Sequence, residues 1–199
     1  MVRPKVRTVK AMRSALAGVP MVSPEWIKVL ASKEEVIFPP TSMIVRTLPT
    51  KTSQTNNDGG VAQLAAAPDK GKALLQDFAI YLCGSFPDNQ RIDMQALAST
   101  AGAKVLKESS QVLHRLRQHK PLVVLCFNGN IIPTLLEKEL TSSLTENQDA
   151  CLVVNPNWLF DSIACAKAMP PNNFPPPDFP KSRKAYELWR LCCYKNPFK

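Results

Sequence analysis

The apolar positions of this chain fall into strand-like and helix-like rhythms. Leu122–Phe127 is an unbroken apolar run, the pattern of a strand covered on both faces. Phe78–Cys83 reads as another strand, ended by Gly84, and Lys104–Lys107 and Leu152–Val154 as two shorter ones. Residues 91–100 place Ile92, Leu97 and Ala98 on a helix that Gly102 would stop. Residues 130–144 and 156–168 predict two further helices, and Pro170 ends the last. The order βαββαβα predicts an α/β unit, a small parallel sheet with helices on both sides.

One pattern occurs twice. Residues 21–27 read Met-Val-Ser-Pro-Glu-Trp-Ile, and residues 153–159 read Val-Val-Asn-Pro-Asn-Trp-Leu. Ser23 and Asn155 suit an N-cap, and Pro24 and Pro156 suit the first helical position, where a missing N–H costs nothing. Trp26 and Trp158 then fall in the first turn. Ile27, Leu30 and Ala31 continue an apolar face in the first copy, and Leu159, Ser162 and Ile163 in the second. Each copy predicts a strand running into a capped helix that buries its Trp.

The second copy is preceded by the strands and helices above, whereas the first has only residues 1–22 before it. By subtraction between the copies, roughly 55 residues of an equivalent front are expected to be missing. The expected organisation is residues 1–38 as the end of a first repeat, 39–75 as a linker, 76–170 as a second repeat, and 171–199 as a Pro-rich, basic tail. The linker is rich in Thr, Ser, Asn, Gly and Ala, and Val61–Ala67 allows a short helix within it.

Charge and cysteines narrow the function. The 199 residues carry a net charge of +9. Residues 1–51 hold nine Lys/Arg against three acids and residues 178–199 six against two, while the middle holds ten against eleven. A basic front favours an anionic partner, a protein phosphate or a nucleic acid; a plain solvated surface has the same composition. The six cysteines form no C-x-x-C pair, and adjacent Cys192 and Cys193 are poorly placed to bridge each other. Small buried thiols in a reducing compartment are expected. No apolar run of about 18 residues is present to span a membrane.

Catalytic chemistry finds no foothold. Asp69-Lys-Gly-Lys72 lacks phosphate-loop spacing. His114 and His119 lie in a basic stretch between strands, read as a solvated loop rather than a metal site. Glu137 and Glu139 read as a solvated helix face. The chain is expected not to be an enzyme and to need no cofactor.

The sequence of strand, Gly, helix, Gly-Ala at the second strand, and an apolar residue and Val before the Trp of a closing helix resembles the tandem BRCT repeat family. The residues that carry the resemblance are Ile80-Tyr-Leu-Cys-Gly-Ser-Phe86, Ala101-Gly-Ala-Lys-Val-Leu-Lys-Glu-Ser109, Trp26 and Trp158. It covers about residues 5–38 and 76–170. Within the family, residues 78–109 look most like the second repeat of the breast-cancer susceptibility tumour suppressor and of its RING-domain partner. The resemblance implies two repeats, each a parallel four-stranded sheet flanked by helices, the first incomplete. It implies core roles for Trp26, Gly84, Gly102 and Trp158.

It also implies a phosphoserine-binding scaffold module of the DNA damage response and homologous recombination, located in the nucleus. The Arg-Thr-x-Lys motif of the family matches Arg7-Thr8-Val9-Lys10. Lys10 would then contact the phosphate and Arg7 the peptide main chain, while Met12, Asn89 and Phe160 would form the pocket for the third residue beyond it. Asn89 departs from the apolar residue usual there, and residues 1–22 offer no counterpart of the family's Ser/Thr hydroxyl and Gly N–H phosphate ligands. Two other readings stay open: a BRCT module of an end-joining or replication factor that binds partner BRCT repeats or DNA, and a non-catalytic C-terminal piece of a RING-type ubiquitin ligase. Expected partners are therefore phosphorylated damage-response proteins, with other BRCT or RING-domain proteins and DNA as further candidates, and no membrane.

Overall fold

The computed structural model describes residues 8–32, 38–45, 47–49, 61–63, 73–127, 134–145, 151–176, 187–190 and 193. The chain divides into two compact units, residues 1–72 with 160–167, and residues 73–159 with 168–199.

In the first unit, helix α1 (Val9–Leu16) starts at Thr8, whose hydroxyl accepts a hydrogen bond from the Ala11 amide at 3.1 Å. It stops at Gly18, φ +65°, where the Gly18 and Val19 amides turn back to the carbonyls of Ala15 and Ser14, the left-handed stop that glycine permits. Strand β1 (Met21–Val22) runs into α2 (Pro24–Ala31), with Pro24 at its first position as expected. β1 pairs antiparallel with β2 (Ile44–Val45), and β3 (Thr47–Pro49) pairs antiparallel with β4 (Val61–Gln63).

Two expectations fail in this unit. The helix from Val61 is a strand over Val61–Gln63, with residues 64–67 outside the described set; pairing with β3 outweighs a weak local helix preference. The second failure is the expected burial of Trp26. α2 buries no residue, Trp26 is half-buried, Ile27 is 58% exposed, and the indole Nε1 of Trp26 has no hydrogen-bond partner. A strand of two residues presents one side chain to each face, too little to cover a helix.

The second unit is α/β. Its elements are β5 (Ala79–Cys83), α3 (Asp88–Thr100), β6 (Lys104–Leu106), α4 (Ser109–Arg117), β7 (Leu122–Cys126), α5 (Thr134–Thr145), β8 (Cys151–Val154) and the start of α6 (Asn157–Ala164), which from Phe160 on belongs to the first unit. The four strands form one parallel sheet in the order β6-β5-β7-β8, flanked by helices. The order is therefore βαβαβαβα. Helix α4 replaces the expected loop, and His114 lies on it.

Strand alternation divides the core. Ala79, Cys83, Leu122, Val124, Cys126, Cys151 and Val153 point to one face, where they pack with Val112 and Leu116 of α4 and Leu136 and Leu140 of α5. Ile80, Leu82, Val123, Leu125, Leu152 and Val154 point the other way and are equally buried. Right-handed crossovers account for α4 and α5 sharing a face, because both connections run in the same direction across the sheet. Glu139 on α5 pairs with Arg117 on α4 at 3.3 Å.

Two of the expected core residues close this unit. Gly102, φ +91°, ends α3 with its amide bonded to the Ser99 carbonyl and that of Ala103 to Ala98. A side chain at Gly102 would strike the Cβ of Ala73. Trp158 is fully buried, meets Phe78 edge-on with centroids 6.2 Å apart, and donates from Nε1 to the Met169 carbonyl at 2.7 Å. Asn155 behaves as the expected cap: its side-chain oxygen accepts from the Asn157 amide at 2.9 Å.

The two tryptophans give a paired test. Trp158→Ala is expected to destabilise the protein by about 3–5 kcal/mol, the usual result of emptying a large aromatic site. Trp26→Ala should cost less than half as much. Denaturant titration of both variants checks this, and equal losses would show that Trp26 is a core residue after all.

Candidate functional site

The residues that the sequence nominates for phosphate and peptide binding are divided between the units. Thr8, Lys10, Met12 and Phe160 fall in the first and Asn89 in the second, while Arg7 lies outside the described residues. Thr8 spends its hydroxyl on capping α1. That cap fixes the first turn and hence the placement of Lys10, which is exposed two residues on. Met12 lies on the opposite side of the helix from solvent, fully buried. Phe160 is half-buried on α6, and Asn89 is exposed in the first turn of α3.

α1 combines an exposed cation with a cap and no acidic side chain in its first turn. The unpaired amides at a helix start carry partial positive charge, so Lys10 and the amides near it favour an anion. A lysine there acts as a compact, charge-assisted donor.

The second unit has its own feature at the carboxyl ends of the strands. The chain runs from β5 to β6 on one side and returns with β7 on the other, so the point where strand order reverses lies between β5 and β7. Ligands of open parallel sheets bind in the crevice at such a point. Here Phe86, Phe127 and Arg91 line it. Phe86 and Phe127 stack with centroids 4.7 Å apart, and the Arg91 guanidinium lies 5.2 Å over the Phe86 ring. Arg91 also donates to the Leu82 carbonyl at 3.4 Å and to the Gly84 carbonyl. Gly84 has φ +117°, a conformation that frees its carbonyl toward Arg91.

Below this cluster, Cys83 and Cys126 are direct neighbours in the β5–β7 register, and both are buried. A hydrogen bond from the Cys126 thiol holds the Cys83 thiol below its ordinary range; burial opposes this and the nearby charge of Arg91 assists it. Cys151 is buried as well, whereas Cys165 and Cys193 are only partly so. Among the described residues, no group of three or more His, Cys, Asp or Glu is placed to hold a metal ion. No helix among them is long and apolar enough to cross a membrane.

Sequence reasoning missed Arg91. It sits in a polar helical stretch, and only its two carbonyl partners at the end of β5 distinguish it from a surface arginine. An arginine five positions after the Phe of a Gly-x-Phe turn is not in itself a recognisable signal. Arg91→Leu should destabilise the protein by about 1–3 kcal/mol, because two strand-end carbonyls lose their donor. The check is a lower denaturant midpoint with an unchanged slope; an unchanged midpoint would mean that water replaces the guanidinium at no cost.

No family model, no curated protein and no solved structure matches the chain.

Proposed function

We propose that this chain is a BRCT-type, phosphoserine-dependent protein-binding module, a nuclear scaffold of the DNA damage response and homologous recombination that performs no catalysis. The observation that carries the reading is the second unit: a parallel sheet in the order β6-β5-β7-β8, closed by a helix whose first turn buries Trp158. The Gly84 and Gly102 positions, both with positive φ, support it, because each needs the residue type that the resemblance assigns. The strand-end crevice of this unit is lined by its own Phe86, Phe127 and Arg91.

In this reading the phosphate ligand is Lys10, exposed on a capped helix with no acid in its first turn. Arg7 would hold the peptide main chain beside it. Met12 and Phe160, both of the first unit, would shape the site for the residue three positions further on.

A phosphoserine-oriented peptide library, followed by calorimetry on the selected peptide, tests the proposal. Lys10→Met is expected to weaken the phosphorylated peptide about tenfold or more, the equivalent of one charge-assisted hydrogen bond. The unphosphorylated peptide should bind more weakly and be indifferent to the change. Equal binding of the two peptides by the unaltered protein would remove phosphate recognition.

A further inference from the structure

A second basic feature lies away from Lys10 and from the strand ends. It is an open cleft of about 610 Å³ between the edge strand β6 and helix α4. Helical periodicity builds one wall: Ser110, Gln111, His114, Arg115 and Gln118 follow each other at steps that keep them on one face. β6 contributes Lys104 and, two residues on and so on the same side, Leu106. Lys120 closes the end where the chain returns toward β7.

The lining holds three Lys/Arg, one histidine and no acid. The stretch around it is basic. Residues 104–120 carry Lys104, Lys107, Arg115, Arg117 and Lys120 against Glu108 alone. Glu108 is occupied elsewhere: its carboxylate caps α4 and accepts from the Ser110 hydroxyl at 3.1 Å. Arg117 is neutralised by Glu139, but the charges that line the cleft are not. Among the described residues no carboxylate pairs with Lys104, Arg115 or Lys120.

Arg115 is the fixed point. Its Nε donates to the Pro121 carbonyl at 2.9 Å and its Nη2 to the Asp77 carbonyl at 3.1 Å. Two neutral carbonyls hold the guanidinium in one orientation without cancelling its charge, and its remaining N–H donors stay unused. The amide nitrogen of Gln118 donates to His114 Nε2 at 2.8 Å, so the Gln118 side chain is also held in place. Charge is concentrated here around a pinned donor, and the two lysines are exposed and able to close on a ligand.

We propose that this cleft is an anion site for a compact ligand bearing two or more phosphate groups, independent of the Lys10 site. Three cations spread around one cavity match several linked phosphates better than a single one, and Arg115 supplies the planar donor set suited to a phosphate. The volume falls in the range of small-molecule sites. No Phe, Tyr or Trp lines it, so it lacks the stacking platform that a single-stranded nucleic acid uses.

The test uses the full chain and inorganic tripolyphosphate, followed by calorimetry. One-to-one binding is expected, weakened by salt but not displaced by sulfate at equal ionic strength. Lys104→Gln combined with Lys120→Gln should weaken it about tenfold or more. Ser110→Glu puts a carboxylate into the cleft while suiting the start of a helix, so it should fold normally and also lose binding. Lys10→Met should leave tripolyphosphate binding unchanged, which separates this site from the peptide site. Absence of binding, equal binding by the cleft variants, or equal displacement by sulfate would overturn the proposal. So would binding of duplex DNA that tripolyphosphate fails to displace, since the cleft would then be a contact for a nucleic-acid backbone.

Discussion

Strand β7 meets water on neither face: all five of its side chains are buried. A strand in that position must have a hydrogen-bonded neighbour on each edge and an apolar layer above and below. The rest of the second unit meets those needs. β5 and β8 flank it in parallel register, α4 and α5 cover the side of Leu122, Val124 and Cys126, and the buried Met94, Leu97 and Ala98 of α3 belong to the opposite layer. Parallel neighbours require crossovers, and right-handed crossovers fix which helices share a face. The position of α4, and with it the basic cleft at β6, follows from covering β7.

The strands and the helices with strong stops were legible in the sequence. β7 announced itself by an uninterrupted apolar run, and α3 by Gly102, whose left-handed conformation ends it. α4 was not legible, for a definite physical reason. Its stop is a left-handed residue too, but the residue is His119, φ +53°, with its amide bonded to Leu116 and the Lys120 amide to Arg115. Its cap is Glu108, with Gln111 closing the box, rather than Ser, Thr, Asp or Asn. A helix without glycine at its end, and with three basic residues in its last turn, looks like a polar loop until tertiary packing of Val112 and Leu116 decides the matter. α6 ends in the same way, at Ala166 with φ +50°.

The candidate site residues were legible only as residue types. Thr8 could be named as part of a motif, but its work in the structure is local, capping the helix that presents Lys10. Arg91 and Arg115 were invisible because both act on backbone carbonyls, and a carbonyl has no sequence signature. Arg115 reaches Asp77, 38 residues away along the chain. Such a partner follows from the fold alone.

The two Pro-x-Trp segments separate what local sequence determines from what it does not. In both, a helix starts at or one residue after the proline that follows a short strand; Asn155 caps its helix with its side chain, whereas the Ser23 hydroxyl makes no capping bond. Their burial differs in degree: Trp158 is fully buried, whereas Trp26 is half-buried with its indole nitrogen enclosed. Trp158 follows a strand that is one edge of a four-stranded sheet, and its indole reaches the Met169 carbonyl on the returning chain. Trp26 follows a two-residue strand in an antiparallel ribbon, and its indole nitrogen has no acceptor. A buried aromatic needs a surface wide enough to cover it and a partner for its polar atom. Both are supplied by residues distant in sequence, so a motif can be duplicated while its contribution to the core is not. The helix start is a property of seven residues; the buried tryptophan is a property of the sheet.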